Sequence, residues 1–184
     1  MVLKKTDPNT IATITSSVEK GEVVVLPCDT IYGLSSIYGK GEAALKALKG
    51  RDASKPFLVL ATLEQAKELC EDIPDDILAA WPASLTVILN KKGGGTIGVR
   101  VPDDPFLQKL LESIKSPIYS TSVNISGEPS LLSFTDINAK FGDKVSYIVK
   151  GQETQGTTAS TLINATEKPY KLIRQGSYDA SRLI

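Results

Sequence analysis

Lys49-Gly50-Arg51-Asp52-Ala53-Ser54-Lys55-Pro56 places three cations within one short stretch, opposed only by Asp52. Arginine offers a planar fork for two phosphate oxygens, and lysine a compact point charge. The chemistry such a stretch can do is to hold a polyanion and stabilise negative charge as it develops. It can equally be a solvated turn, with Lys46 and Lys49 complementing the negative end of the helix before it. Four other groups bring polar side chains into short runs. Pro27-Cys28-Asp29-Thr30-Ile31-Tyr32 carries hydroxyls on a loop after an apolar strand. Thr96-Ile97-Gly98-Val99-Arg100 puts a hydroxyl, a gap and a guanidinium on one side of a strand by period-two alternation. Ser122-Val123-Asn124-Ile125-Ser126 offers hydroxyls and an amide that can satisfy an ammonium, a carboxylate or phosphate oxygens. Arg174 closes a late strand.

The elements that must position these residues follow from local pattern. Asp7-Pro8 predicts a helix start, with Ile11, Ile14 and Val18 on one face and Gly21 at its end. Val23-Val24-Val25 reads as a buried strand. Residues 41–48 read as a helix with Ala44, Leu45 and Leu48 inward, and 57–61 as a strand. Thr62-Leu63-Glu64-Gln65 is a capping box for a helix to Leu69. Short elements follow at 74–80 (helix), 85–89 (strand) and 96–102 (strand). Asp104-Pro105 starts a helix that buries Phe106, Leu107, Leu110, Leu111 and Ile114. A strand at 118–121, a helix capped by Thr135 or Asp136, and strands at 145–149, 159–163 and 170–174 complete the chain. Helices and strands alternate but include hairpins, which predicts an α/β fold around a twisted, open sheet of mixed direction. The 184 residues suit a single domain, 1–184.

Composition removes several kinds of chemistry. Lysine plus arginine equals aspartate plus glutamate, 21 against 21, so no overall basic field favours nucleic acid. Residues 61–138 are net acidic and the flanks net basic, so an anion site would be built mainly from the flanks. The absence of histidine excludes a histidine triad, imidazole-ligated zinc and the usual general base near neutral pH. Two cysteines, Cys28 and Cys70, are too few for a tetrahedral metal site, and no metal-binding residues are expected. Lys91-Lys92-Gly93-Gly94-Gly95 has lysines before its glycines, not after them as in a Walker loop, and reads as a hairpin link. Met1-Val2-Leu3-Lys4-Lys5 lacks the apolar core of a signal peptide, and no run reaches membrane-spanning length. A cytoplasmic protein with no membrane contact is expected.

Taken in order, the motifs resemble one family. They are Pro27-Cys28-Asp29-Thr30-Ile31-Tyr32-Gly33-Leu34, the run from Lys49 to Pro56, and Trp81-Pro82 with Leu85-Thr86. Thr96-x-Gly98-Val99-Arg100-x-Pro102, Ser122-x-Asn124-x-Ser126-Gly127-x-Pro129, Ser160-Thr161-Leu162 and Ile173-Arg174-Gln175-Gly176 follow. The set, from Thr13 to Ser177, resembles the YrdC/TsaC family of threonylcarbamoyl-AMP synthases. The resemblance implies a YrdC-like fold with a deep concave cleft. It implies a nucleotidyltransferase that forms threonylcarbamoyl-AMP and pyrophosphate from L-threonine, bicarbonate or CO2, and ATP with Mg2+. The product would pass to a downstream transferase complex for the threonylcarbamoyl modification of adenosine 37 in tRNA, with at most a weak tRNA contact by this chain. Arg51 and Lys55 would be the catalytic cations on the ATP phosphates, with Lys49 close by. Thr96, Asn124 and Arg174 would also contact ATP, and Thr30, Arg100, Ser122 and Ser160 would hold L-threonine.

Three positions depart from the family pattern. Cys28 stands where threonine is common, and Leu60 where some longer members carry a threonine-binding histidine. Leu131-Leu132 occupies the place of a hydroxyl for ATP, for which Ser133 is the candidate substitute after a one-residue shift. The resemblance is to the short type, and a single domain without the C-terminal extension of the longer form is expected. The alternatives are a non-catalytic RNA-binding module of the same fold and a carbamoyl-transfer module like that of hydrogenase maturation. The phosphate role predicts that Arg51→Ala or Lys55→Ala lowers ATP-dependent pyrophosphate release by orders of magnitude while the thermal melt stays unchanged. Near-normal release by either variant would refute it.

Overall fold

The computed structural model describes residues 1–50, 56–151 and 158–184. In chain order the elements are β1 (Val2–Lys4), α1 (Thr10–Glu19), β2 (Val24–Leu26), β3 (Gly33–Ile37), α2 (Glu42–Lys49), β4 (Leu58–Leu60), α3 (Leu63–Leu69) and α4 (Asp75–Ala80). The second half adds β5 (Leu85–Asn90), β6 (Thr96–Arg100), α5 (Pro105–Ile114), β7 (Ile118–Ser122), α6 (Phe134–Phe141), β8 (Tyr147–Lys150), β9 (Thr161–Asn164) and β10 (Lys171–Arg174). Among the described residues the strands form one sheet in the order β1-β8-β2-β3-β7-β4-β6-β5-β9-β10. It is mixed: β1/β8, β8/β2, β4/β6 and β5/β9 are parallel and the other pairs antiparallel.

Strand alternation divides the apolar residues between two faces. Val24 and Leu26 of β2, Leu60 of β4 and Ile118 of β7 pack under α1 and α5, which supply Ile14, Val18, Leu107, Leu110 and Leu111. Val25, Val59, Val87, Val99 and Ile163 point the other way, against Leu45, Ala66, Ile77, Ile137 and Phe141 from the remaining helices. Beyond Leu60, the same face of β4, β6, β5 and β9 carries the half-buried Leu58, Gly98, Ile88 and Leu162 away from those helices. That stretch of sheet is the floor of the cavity described below. No described helix is long and apolar enough to cross a membrane.

Several local signals act as expected. Thr62 accepts from Gln65 N while Gln65 accepts from Thr62 N, closing the capping box. Asp104 accepts from Phe106 N and Leu107 N, with Pro105 in the first turn, and the five expected side chains of α5 are buried. Elsewhere local pattern is overridden. Asp7-Pro8 closes a turn, with Thr10 N donating to Asp7 O, and α1 begins only at Thr10. β1 is too short to show alternation and depends on pairing with β8. Ser133 caps α6, accepting from Asp136 N, ahead of the two residues expected to do so. In α2 Ala44 is exposed, whereas Lys49 is buried alongside Leu45.

Leu110 has no exposure and is held between α1 and the sheet. Leu110→Ala is expected to cost about 2–5 kcal/mol through lost transfer energy and an unfilled cavity, read as a lower urea midpoint at unchanged slope.

Candidate functional site

Alternation along β6 supplies the base of the site. Ile97 and Val99 enter the core, leaving Thr96, Gly98 and Arg100 on the opposite face. Register then adds neighbours across the strands. Ile88 of β5 pairs with Gly98, Thr86 with Leu162 of β9, and Leu162 with Arg174 of β10. The β9/β10 register shifts between Leu172 and Arg174. In regular pairing Ile173 would oppose Leu162; the shift gives that place to Arg174. Such an irregularity at a sheet edge re-aims a side chain. The result is a cavity of about 340 Å³ whose walls, among the described residues, are strands and loops with no lining residue from a helix. This volume lies within the range of small-molecule sites.

Six of the expected residues line it: Thr30, Thr96, Arg100, Ser122, Ser160 and Arg174. Arg51 and Lys55 lie outside the described residues, but Pro56 and Phe57, which follow them, are part of the lining. Lys49 and Asn124 are not among the lining residues. Lys49 is 1% exposed, and its Nζ donates to Ser122 O (2.6 Å), Asn124 O (3.0 Å) and Asn124 Oδ1 (2.8 Å). The helical spacing from Leu45 to Lys49 was the available signal, since residues four apart share a face. Ser133, the candidate substitute hydroxyl, is committed to its helix cap. Leu60 is wholly buried in the core beneath α5.

Arg100 is 3% exposed and needs fixed partners. Its Nη1 donates to Thr30 Oγ1 at 2.8 Å and lies 3.3 Å from Asp29 Oδ1, while Asp29 Oδ2 accepts from Ser84 Oγ. Among the described residues the buried Nε of Arg100 has no hydrogen-bond partner. Arg174 donates from Nε and Nη2 to the Ser160 carbonyl, at 3.2 and 2.9 Å. Burial, and then the charge of Arg100, pull the Arg174 guanidinium below its ordinary pKa. Two guanidinium groups lining one cavity form a site suited to an anion.

Sequence reasoning gave no role to Asp29, Thr86 or Thr161. Asp29 holds Arg100, and Thr86 Oγ1 shares a 2.8 Å hydrogen bond with Ser160 Oγ. Thr161 Oγ1 accepts from Gly176 N and Tyr178 N and donates to Tyr178 O, locking the final segment over β9. A Cβ on Gly176 would come within 2.2 Å of Ala159 O, so only glycine allows that crossing. These contacts join residues remote in sequence, so no local pattern marks them. Cys28 is buried, and burial pushes its thiol up to about 12, so it is no nucleophile near neutrality.

A family model for Sua5/YciO/YrdC domains, described as "Telomere recombination", matches residues 16–176. A Pyrococcus abyssi protein named threonylcarbamoyl-AMP synthase is 35% identical over 176 residues, covering 86% of this chain and 52% of that protein. The chain therefore spans about half the length of that relative. A protein of the same name from Pseudoalteromonas translucida is 27% identical, with 86% of this chain and 96% of that protein covered. Among solved structures, P. abyssi Sua5 complexed with L-threonine superposes with a TM-score of 0.83 at 33% identity, covering 90% of this chain and 54% of that one.

Gly98 tests whether the floor must stay open. A Cβ there would meet Thr86 Cγ2 at 3.8 Å and Leu58 Cβ at 3.9 Å, which is ordinary contact. Gly98→Ala should therefore fold and bind normally. Gly98→Leu should melt within a few degrees of the parent yet lose any ligand-induced rise in Tm that Gly98→Ala retains, because its side chain fills the cavity.

Proposed function

Because the chain belongs to the Sua5/YciO/YrdC family, we propose that its cavity makes threonylcarbamoyl-AMP from L-threonine, CO2 or bicarbonate, and ATP. The observation that carries this reading is the convergence of two guanidinium groups and the hydroxyls of Thr30, Ser122 and Ser160 on one cavity whose lining includes Pro56. The names of the relatives and the L-threonine complex of P. abyssi Sua5 support the synthase over the RNA-binding alternative.

In this scheme the amine of threonine captures CO2 and loses a proton, giving a carbamate. A carbamate oxygen attacks the α-phosphorus of ATP, the bond to the bridging β-oxygen breaks, and pyrophosphate leaves. No covalent enzyme intermediate is needed. The protein's task is to bring two anions together and offset the charge that builds up on the leaving group. Arg51 and Lys55 grip the phosphates, and Thr96 and Arg174 complete the nucleotide site. Arg100 and Thr30, held together, take the threonine carboxylate, with Ser122 and Ser160 on its other polar groups. Mg2+ enters as the ATP complex. The enzyme works in the cytoplasm and hands its mixed anhydride to a transferase that modifies adenosine 37 of tRNA.

One incubation tests the assignment. The protein with ATP, Mg2+, bicarbonate and L-threonine should yield the mixed anhydride by mass spectrometry, with one pyrophosphate per product. Serine and glycine in parallel should give less. Absence of the anhydride with all four components present would contradict the assignment.

A further inference from the structure

Lys49, Asn124 and Ser122 form a relay whose hydrogen-bond direction is fixed by charge. An ammonium has three donors and no acceptor. The Asn124 side-chain atom it meets at 2.8 Å must therefore be the amide oxygen. At the other end, Asn124 Nδ2 donates to the carbonyl of Glu128 at 2.7 Å, and a carbonyl only accepts. Both neighbours impose the same orientation on the amide, so it is not open to the usual flip. Ser122 Oγ lies 2.7 Å from that same Oδ1, and its single proton is committed there. Ser122 lines the cavity. Toward a ligand its hydroxyl can then only accept.

We infer that Lys49 is a positioning residue: its buried charge sets the direction of the Asn124–Ser122 relay, so that Ser122 meets the substrate amine as an acceptor. This rests on the cavity taking L-threonine, and it moves Lys49 from the expected contact with ATP to a supporting role. The consequence is that the two ends of an amino acid are told apart. Guanidinium donors on Arg100 suit the carboxylate, and an acceptor-only hydroxyl suits the amine. A serine free to rotate would donate to a carboxylate or phosphate as readily and blur that distinction. Lys49 also holds the Ser122 carbonyl at 2.6 Å, and Ser126 N donates to Lys49 O, so backbone and side chain of this loop share one anchor.

The test is a ratio of affinities, measured by calorimetry on the full chain without ATP. The two ligands are L-threonine and 3-hydroxybutanoate, which has hydrogen in place of the amine. The parent should prefer L-threonine. Ser122→Ala should cut that preference about tenfold, the worth of one hydrogen bond. Lys49→Met should cut it equally, and the double variant no further. Equal weakening of both ligands by Lys49→Met would mean a merely structural role and overturn the inference. In a separate ATP titration, weaker ATP binding by Lys49→Met with threonine preference intact would make Lys49 a phosphate ligand and overturn it too. Should Lys49→Met not fold, Asn124→Ala removes the shared acceptor and must lower the ratio; an unmoved ratio overturns the inference. A parent that shows no preference for L-threonine would sink the substrate reading with it, whereas a preferring parent with unmoved variants sinks the relay alone.

Discussion

A cation taken out of water must be solvated by the protein, because leaving it bare costs more than a domain's whole stability. Lys49 and Arg100 are all but fully buried, while Arg174 sits on the exposed strand β10 with its guanidinium turned to the backbone of β9. Each gathers oxygens: Ser122 and Asn124 around Lys49, Thr30 and Asp29 around Arg100, and the Ser160 carbonyl around Arg174. The polar groups of the cavity are therefore placed by the cations they serve. That also keeps them still, since moving one strands a buried charge. Preorganisation of this kind favours a reaction whose difficulty is accumulating negative charge.

The sheet supplies the place where these cations meet. Its α1/α5 face is packed where β2, β3 and β7 run beneath the helices, and open where β4, β6, β5 and β9 carry Leu58, Gly98, Ile88 and Leu162. Small and half-apolar residues on that floor leave room and exclude water without demanding a covering helix. The register shift in β10 and the lock at Thr161 then turn an edge strand, an element free to fray, into a fixed wall carrying Arg174.

Much of this was legible in the sequence. The Thr96/Gly98/Arg100 face of β6, the capping box at Thr62 and the buried stripe of α5 follow from local period and cap chemistry. So does the mixed sheet. What stayed hidden depends on contacts between distant residues. Arg100 meets Thr30 across 70 positions and Lys49 meets Asn124 across 75, and no local pattern encodes either. Lys49 was misleading for a further reason: a lysine in the last turn of a helix suits the dipole, which draws attention from its place on the buried face. The start of α1 shows the same limit at short range. Asp7-Pro8 has good starting chemistry, but hydrogen bonds to β1 and the turn claim it first.

Fixed cations remote in sequence, on the proposed function, would hold a triphosphate and a small zwitterion side by side in one cavity. A crystal structure with a non-hydrolysable ATP analogue and L-threonine tests it most directly. Both ligands are expected in the β4–β6–β5–β9 cavity, with the amino-acid carboxylate on Arg100 and the phosphates toward Pro56. Ligands on separate surfaces, or a nucleotide bound away from Arg100 and Arg174, would contradict it.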